Sequence, residues 1–195
     1  YEFYDKKEIE KVLDVACGTG DMLKFWQQRA KKYNILIKEL IGVDPSSGML
    51  EIAKSKFPSF NYIKAYAQDL PIEDSSCDFV SISYGIRNVI DRIDAIREFN
   101  RALKPGGLLI ILEFTKRENR KFIDNLVEFY LKRVLPTIGG LISGNKDAYN
   151  YLPNSIDNFL TTKKLIDELK SNGFEMLYCK PFSMGISTLF IAKKV

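Results

Sequence analysis

An α/β fold built on a doubly wound, mostly parallel seven-stranded sheet is predicted by three features of the sequence. Short apolar runs alternate with amphipathic stretches of helical period, several of the runs end in a carboxylate, and the first passes directly into a glycine turn and a helix. That first stretch is Val12-Leu13-Asp14-Val15-Ala16-Cys17-Gly18-Thr19-Gly20-Asp21. Val12, Leu13, Val15 and Ala16 read as a strand covered on both faces. Gly18 and Gly20 permit a tight turn at positive φ and keep side chains away from a bound ligand. The free amides of the following helix suit a carboxylate or a phosphate.

A dinucleotide site would continue this turn as G-x-G-x-x-G, but the third glycine position is Leu23. Asp14 lies within the strand and Asp21 just after the second glycine, so carboxylates surround a place where a pyrophosphate would be repelled. A cationic nucleoside is favoured instead. S-adenosylmethionine carries a sulfonium and an ammonium, and its carboxylate can use the helix amides. A glycine turn is also a purely structural device, so the rest of the chain must decide.

The 195 residues are enough for one domain, 1–195, and 46% hydrophobic content is ample for one core. A formal charge of +4 without a dense basic run gives no pointer to nucleic acid. Cys17, Cys77 and Cys179 are odd in number and lack metal-ligand spacing, which predicts reduced thiols in a cytoplasmic compartment and no metal site. The chain contains no histidine, which excludes a histidine triad or an H-E-x-x-H centre. No apolar run is long enough to span a bilayer and no signal peptide is visible. Because the first residue is Tyr1, further N-terminal sequence is expected to precede it.

Residues 1–10 read as the end of a helix or a ragged terminus. A helix over 21–32 is expected to bury Leu23, Phe25, Trp26 and Ala30. The second strand, 40–44, ends in Asp44, placed to accept from both hydroxyls of a ribose; capping the next helix is the competing role. That helix has Met49, Leu50, Ile52 and Ala53 on its apolar side and stops at Pro58. A third strand, 62–65, leads to Asp69 and Leu70, an acid suited to an adenine amino group and an apolar neighbour suited to its ring; a simple turn aspartate fits equally. The fourth strand, 78–83, is followed at once by Tyr84-Gly85-Ile86-Arg87-Asn88-Val89. A helix over 92–103 stops at Lys104-Pro105-Gly106-Gly107, and the fifth strand, 108–114, carries Glu113 near its end. Asp44, Asp69, Arg87 and Glu113 thus converge on the C-terminal strand ends, where such sheets bind ligands.

Residues 116–155 interrupt the alternation. A helix over 119–134 and the sequence Asp147-Ala148-Tyr149-Asn150-Tyr151-Leu152 read as a helical lid over the site. Its apolar residues, interleaved with Lys121, Lys132 and Arg133, suit either a greasy pocket or a membrane surface, with packing on the sheet as the plainer alternative. A helix over 163–171 and strands over 174–180 and 186–192 close the chain as an antiparallel hairpin.

Taken in order, the glycine turn at 13–21, Tyr84-Gly85-Ile86-Arg87-Asn88-Val89, Leu103-Lys104-Pro105-Gly106-Gly107 with Leu112-Glu113-Phe114, and Asp147 to Leu152 with Ser155-Ile156 resemble the UbiE/MenG C-methyltransferases of ubiquinone and menaquinone biosynthesis. The first and third elements are common to many methyltransferases; the G-[IL]-R-N and D-x-Y-x-Y-L segments are far more specific. Cys17 departs from the small residue most members carry there. The resemblance implies a class I methyltransferase fold and S-adenosylmethionine as cofactor, leaving S-adenosylhomocysteine. It also implies methylation of a ring carbon of a polyprenylated quinol.

The candidate cofactor-binding set is Asp14, Ala16, Gly18, Thr19, Gly20, Asp21, Asp44, Met49, Asp69, Leu70 and Ser83. Tyr84, Glu113, Asp147 and Tyr151 are the candidate substrate contacts, and Arg87, Asn88 and Tyr149 the candidate catalytic residues. Arginine stays protonated across the accessible pH range, so Arg87 is expected to stabilise a phenolate and orient a water rather than act as the base. The expected setting is the bacterial cytoplasm, with peripheral contact at the inner membrane and a homodimer as further expectations. Another O- or N-methyltransferase, or a non-catalytic subunit of a quinone-synthesis complex, are the alternatives.

Overall fold

The computed structural model describes residues 7–116, 155–156, 158–182 and 187–195. The helix expected over 119–134, and Asp147, Tyr149 and Tyr151, lie outside the described residues. The elements are β1 (Glu8–Val15), α1 (Asp21–Lys32), β2 (Leu36–Asp44), α2 (Ser47–Lys56), β3 (Asn61–Lys64) and β4 (Cys77–Ser83). After a short 3-10 turn (Ile86–Asn88) come α3 (Arg92–Ala102), β5 (Leu103–Phe114), α4 (Thr162–Ser171), β6 (Phe174–Phe182) and β7 (Ser187–Lys194).

One sheet in the order β3-β2-β1-β4-β5-β7-β6 contains all seven strands. β1 to β5 run parallel, and β7 is antiparallel to both of its neighbours, β5 and β6. Chain order reverses beside β1, between β2 and β4, so the loops leaving β1 and β4 diverge and open a crevice there. Burial deepens toward that end. β1 alternates at its start and is fully buried from Val12 to Val15, and β2 is buried from Ile41 to Asp44.

On one face of the sheet, Leu13, Val80, Ile82, Leu109 and Ile111 pack with Ile96 and Phe99 of α3 and Leu165 and Leu169 of α4. On the other, Ile9, Val12, Phe79 and Leu108 form a smaller cluster bordered by Trp26.

β1 begins at Glu8, where the sequence suggested a helix end or a ragged terminus. Its opening is masked by charge: Ile9 is buried between exposed Glu8 and Glu10, and the backbone N–H groups of Glu10 and Lys11 donate to the Asp78 carboxylate at 2.7 and 3.1 Å. The expected turn at 104–107 is a bulge within β5: Leu103 pairs with Cys77 and Leu108 with Phe79, and Gly106 supplies a φ of 76°. Phe25 is 58% exposed although helical spacing placed it inside, and Met49 and Ile52 are 45% and 48% exposed; the fully buried anchors of those helices are Leu23, Ala30, Leu50 and Ala53, with Trp26 half-buried against Phe79. No helix among the described residues is long and apolar enough to cross a membrane.

Candidate active site

The site grows out of the backbone leaving β1. Ala16, Gly18 and Gly20 hold φ values of 53°, 54° and 81°, so three residues in five are left-handed. Gly20 in this conformation is the N-cap of α1 and its N–H donates to the Cys17 carbonyl at 2.9 Å. A Cβ on Gly20 would lie 2.8 Å from the Tyr62 hydroxyl, whereas one on Gly18 would meet nothing within 4 Å. Gly18 therefore faces open space.

Asp44 closes the turn from the end of β2. Its Oδ2 accepts the Gly18 N–H at 2.9 Å and its Oδ1 accepts the Ser46 N–H at 2.9 Å, while the Ser46 hydroxyl caps α2 by accepting from Met49. The helix-cap role considered for Asp44 thus falls to Ser46, and each Asp44 carboxylate oxygen keeps capacity for a further donor. Around this pair lies a cavity of about 430 Å³, walled by Val15, Ala16, Gly18, Asp44, Met49, the segment 65–68, Tyr84, Gly85 and Asn88. Its volume falls in the range of small-molecule sites.

Of the sequence-derived residues, the structure brings Ala16, Gly18, Asp44, Met49, Tyr84 and Asn88 onto the cavity wall. Several others stand off it. Asp14 is 1% exposed beneath the turn and accepts from the Ser81 hydroxyl at 2.7 Å, which in turn accepts from the Trp26 indole at 3.2 Å. Burial pushes the Asp14 carboxyl up to about 7, opposed by the Ser81 hydrogen bond and reinforced by the charge of Asp44. Asp21, expected to face a ligand cation, gives its carboxylate to Lys56, which donates at 2.8 Å, and to the Thr19 hydroxyl at 2.6 Å. The Lys56 hydrogen bond holds the Asp21 carboxyl below its usual range.

Ser83 ends β4 opposite Leu112. Asp69 is exposed in a turn, and Leu70, expected against an adenine, is 3% exposed in the main core. The wall is made instead by residues 65–68 just before them. Gly85, Tyr66 and Ile90 also line the cavity and were not singled out as ligand contacts; Ile90 is 91% exposed at its edge. The exposed apolar Ile90 beside Asp91 is the signal that could have found that residue; nothing in the local sequence marks Tyr66.

Arg87 and Glu113 meet, though not at the cavity wall. Glu113 is 0% exposed and holds Arg87. Its Oε1 accepts from Arg87 Nη1 at 2.7 Å and from the Phe114 N–H at 2.8 Å, and its Oε2 accepts from the Arg87 N–H at 3.2 Å. Arg87 Nη1 also donates to the Tyr84 carbonyl at 2.6 Å and Nε to the Ser155 hydroxyl at 3.2 Å, and the guanidinium carbon lies 5.1 Å from the centroid of the Phe114 ring. Tyr84 itself is left-handed, at φ 56°, with its ring 4.6 Å from that of Phe114. Burial pushes the Glu113 carboxyl up while Arg87 and two backbone N–H groups pull it down, and burial prevails. The pair secures a strained cavity wall to β5 and to the residue at 155. No group of three or more metal-ligating side chains occurs among the described residues.

Residues 2–194 match the ubiE/COQ5 methyltransferase family. The chain is 57% identical over 192 residues to the ubiquinone/menaquinone biosynthesis C-methyltransferase UbiE of Campylobacter jejuni, covering 98% of this chain and 81% of that one. It is 38% identical over 182 residues to the demethylmenaquinone methyltransferase of Thermotoga maritima, covering 93% and 77%. Among solved structures it is similar to a SAM-dependent methyltransferase of Methanosarcina mazei, with a TM-score of 0.67, 22% identity and coverage of 100% and 96%. It is also similar to the [4+2]-cyclase SpnF, with a TM-score of 0.68, 20% identity and coverage of 95% and 75%. A cyclase on the same fold shows that the sheet alone does not fix the chemistry.

Proposed function

Because the chain belongs to the ubiE/COQ5 methyltransferase family, we propose that it methylates a ring carbon of a polyprenylated quinol with S-adenosylmethionine as donor, releasing S-adenosylhomocysteine. The observation that carries the site reading is the single cavity that joins the Asp44–Gly18 turn to Tyr84 and Asn88. When bound, the cofactor supplies an electrophilic methyl group. The chain fits such a molecule. Asp44 is 8% exposed on the cavity wall and is suited to a ribose diol, Gly18 offers an unobstructed backbone, and residues 65–68 offer a flank for the base, with Asp69 beside them.

On the acceptor side the chain must favour ionisation of a ring hydroxyl, because the phenolate places negative charge on the adjacent ring carbon. The new carbon–carbon bond forms there, and loss of the proton from that carbon restores the aromatic ring. Asn88, on the cavity wall, fixes the ring hydroxyl or a water that carries the proton away, and Arg87, behind the wall and paired with Glu113, favours the phenolate through its permanent charge rather than by direct contact. Tyr149, Tyr151 and Asp147 belong to this proposal as acceptor-side contacts. Glu113 belongs to it through Arg87. Exposed Ile90 beside the cavity suits an apolar substrate and peripheral contact with a membrane surface.

The test is methyl transfer from labelled S-adenosylmethionine to chemically reduced demethylmenaquinol and, separately, to a prenylated methoxy-benzoquinol. The acceptor that gains label identifies the ring class, and Arg87→Ala is expected to lower that turnover by about 100-fold. Transfer to neither acceptor by a protein that binds S-adenosylhomocysteine would remove the quinol from the proposal and leave its cofactor half standing.

A further inference from the structure

Helix α3 faces the cavity only through an intermediary, and that intermediary is the segment 65–72. Its first residues, Ala65, Tyr66, Ala67 and Gln68, line the cavity, yet they belong to no strand or helix and follow β3, a strand of four residues. The residues that follow them, from Leu70 to Asp74, are gripped by an arginine fork. Arg101 spends all five of its N–H donors: Nη2 on the Leu70 carbonyl at 2.9 Å and Glu98 at 2.8 Å, Nη1 on the Ile72 carbonyl at 2.7 Å and Asp74, and Nε on Glu98 at 2.8 Å. Glu98 completes the arrangement by accepting the Leu70 N–H at 2.9 Å, so Leu70 is held at both its backbone groups. The Arg101 hydrogen bonds hold the Glu98 carboxyl below its usual range. Leu70 and Ile72 then insert into the main core at 3% and 8% exposure.

We propose that Arg101 and Glu98 are positioning residues for the cofactor: they hold the 65–72 segment as the adenosine-side wall of the cavity and thereby set affinity for the cofactor without touching it. This inference rests on the cofactor half of the proposed function. A bidentate guanidinium–carboxylate pair fixes orientation as well as distance, which a lysine at the same place does not reproduce. The two carbonyls it grips, those of Leu70 and Ile72, belong to an irregular loop, where conformational multiplicity lives. A looser wall imposes an ordering cost on each ligand that uses it.

The experiment compares wild type, Arg101→Lys and Glu98→Gln, with folding verified by circular dichroism. It reads S-adenosylhomocysteine binding by calorimetry, and KM for S-adenosylmethionine and kcat in the transfer assay. Arg101→Lys is expected to weaken S-adenosylhomocysteine binding and raise KM about 10-fold, with kcat at saturation within about twofold of wild type, and Glu98→Gln to act in the same direction and less. Unchanged KM and binding in both variants overturns the inference, as does a fall in kcat at constant KM, the signature of a smaller folded fraction. Should Arg101→Lys not fold, Glu98→Gln decides by the same criteria. A wild-type protein that does not bind S-adenosylhomocysteine overturns the cofactor half of the proposed function, and this inference with it.

Discussion

Asp14 carries the clearest single-residue consequence. Its carboxyl titrates near 7 in the folded chain, against an ordinary value of 3.8, because it is buried beneath the glycine turn with one hydroxyl donor. Between about pH 4 and 7 the unfolded chain has released this proton while the folded chain keeps it, so this residue makes stability fall as pH rises through that window. Asp14→Asn should remove that component. Thermal midpoints measured across the window should fall less steeply for the variant than for wild type, and identical slopes would contradict the assigned cause. The same residue shows what the sequence conveys and what it conceals. A strand acid near a glycine turn is legible, as it was for Asp44, but whether it lines the cavity or lies beneath it depends on Ser81, supplied by a strand far away in sequence. Glu113 gave the same strand-end signal and proved to be the buried partner of Arg87, while Asp21 is paired with Lys56. The charge was visible in each case; the partner was not.

Among the elements, the closest approach at the site is between the ends of β1 and β4. A Cβ on Gly85 would lie 2.6 Å from the Ala16 Cβ and 3.1 Å from Ile82, although Gly85 itself has an ordinary φ of −109°. Gly85→Ala is therefore a packing change rather than a backbone one, and overpacking of this kind costs about 1–3 kcal/mol. Urea denaturation should show that loss together with weaker cofactor binding, because Ala16 and Gly85 both line the cavity; an unaltered midpoint would refute the close approach. Element identity was largely readable from period and punctuation: α1 occupies the expected 21–32. The bounds that escaped have physical reasons. The alternating start of β1 is disguised by glutamates, and its N–H groups are satisfied by a side chain, Asp78. Lys104-Pro105-Gly106-Gly107 carries turn chemistry yet bulges within a strand because Leu103 already pairs with Cys77. Phe25 has helical spacing but stays 58% exposed at an open apolar groove that it lines with Trp26 and Phe79.

At the scale of the molecule, parallel strands with a reversal beside β1 put the cavity at the C-terminal strand ends, and the antiparallel β7 lies between β5 and the edge strand β6 on the other side. That architecture followed from the sequence because alternation, strand-end acids and the final hairpin all point the same way. The clamp of Arg101 and Glu98 did not, since an arginine and a glutamate three residues apart on a helix read as an ordinary surface pair. The fold by itself admits several chemistries, and ring-carbon methylation rests on family membership and on a cavity bounded by both Asp44 and Asn88. The most direct test is the position of the label. With methyl-labelled S-adenosylmethionine and the quinol acceptor, the product should carry the label on a ring carbon, and the oxidised quinone should gain none, because it has no hydroxyl to ionise. Label on a quinol oxygen, or equal transfer to the oxidised quinone, would contradict phenolate-driven carbon methylation.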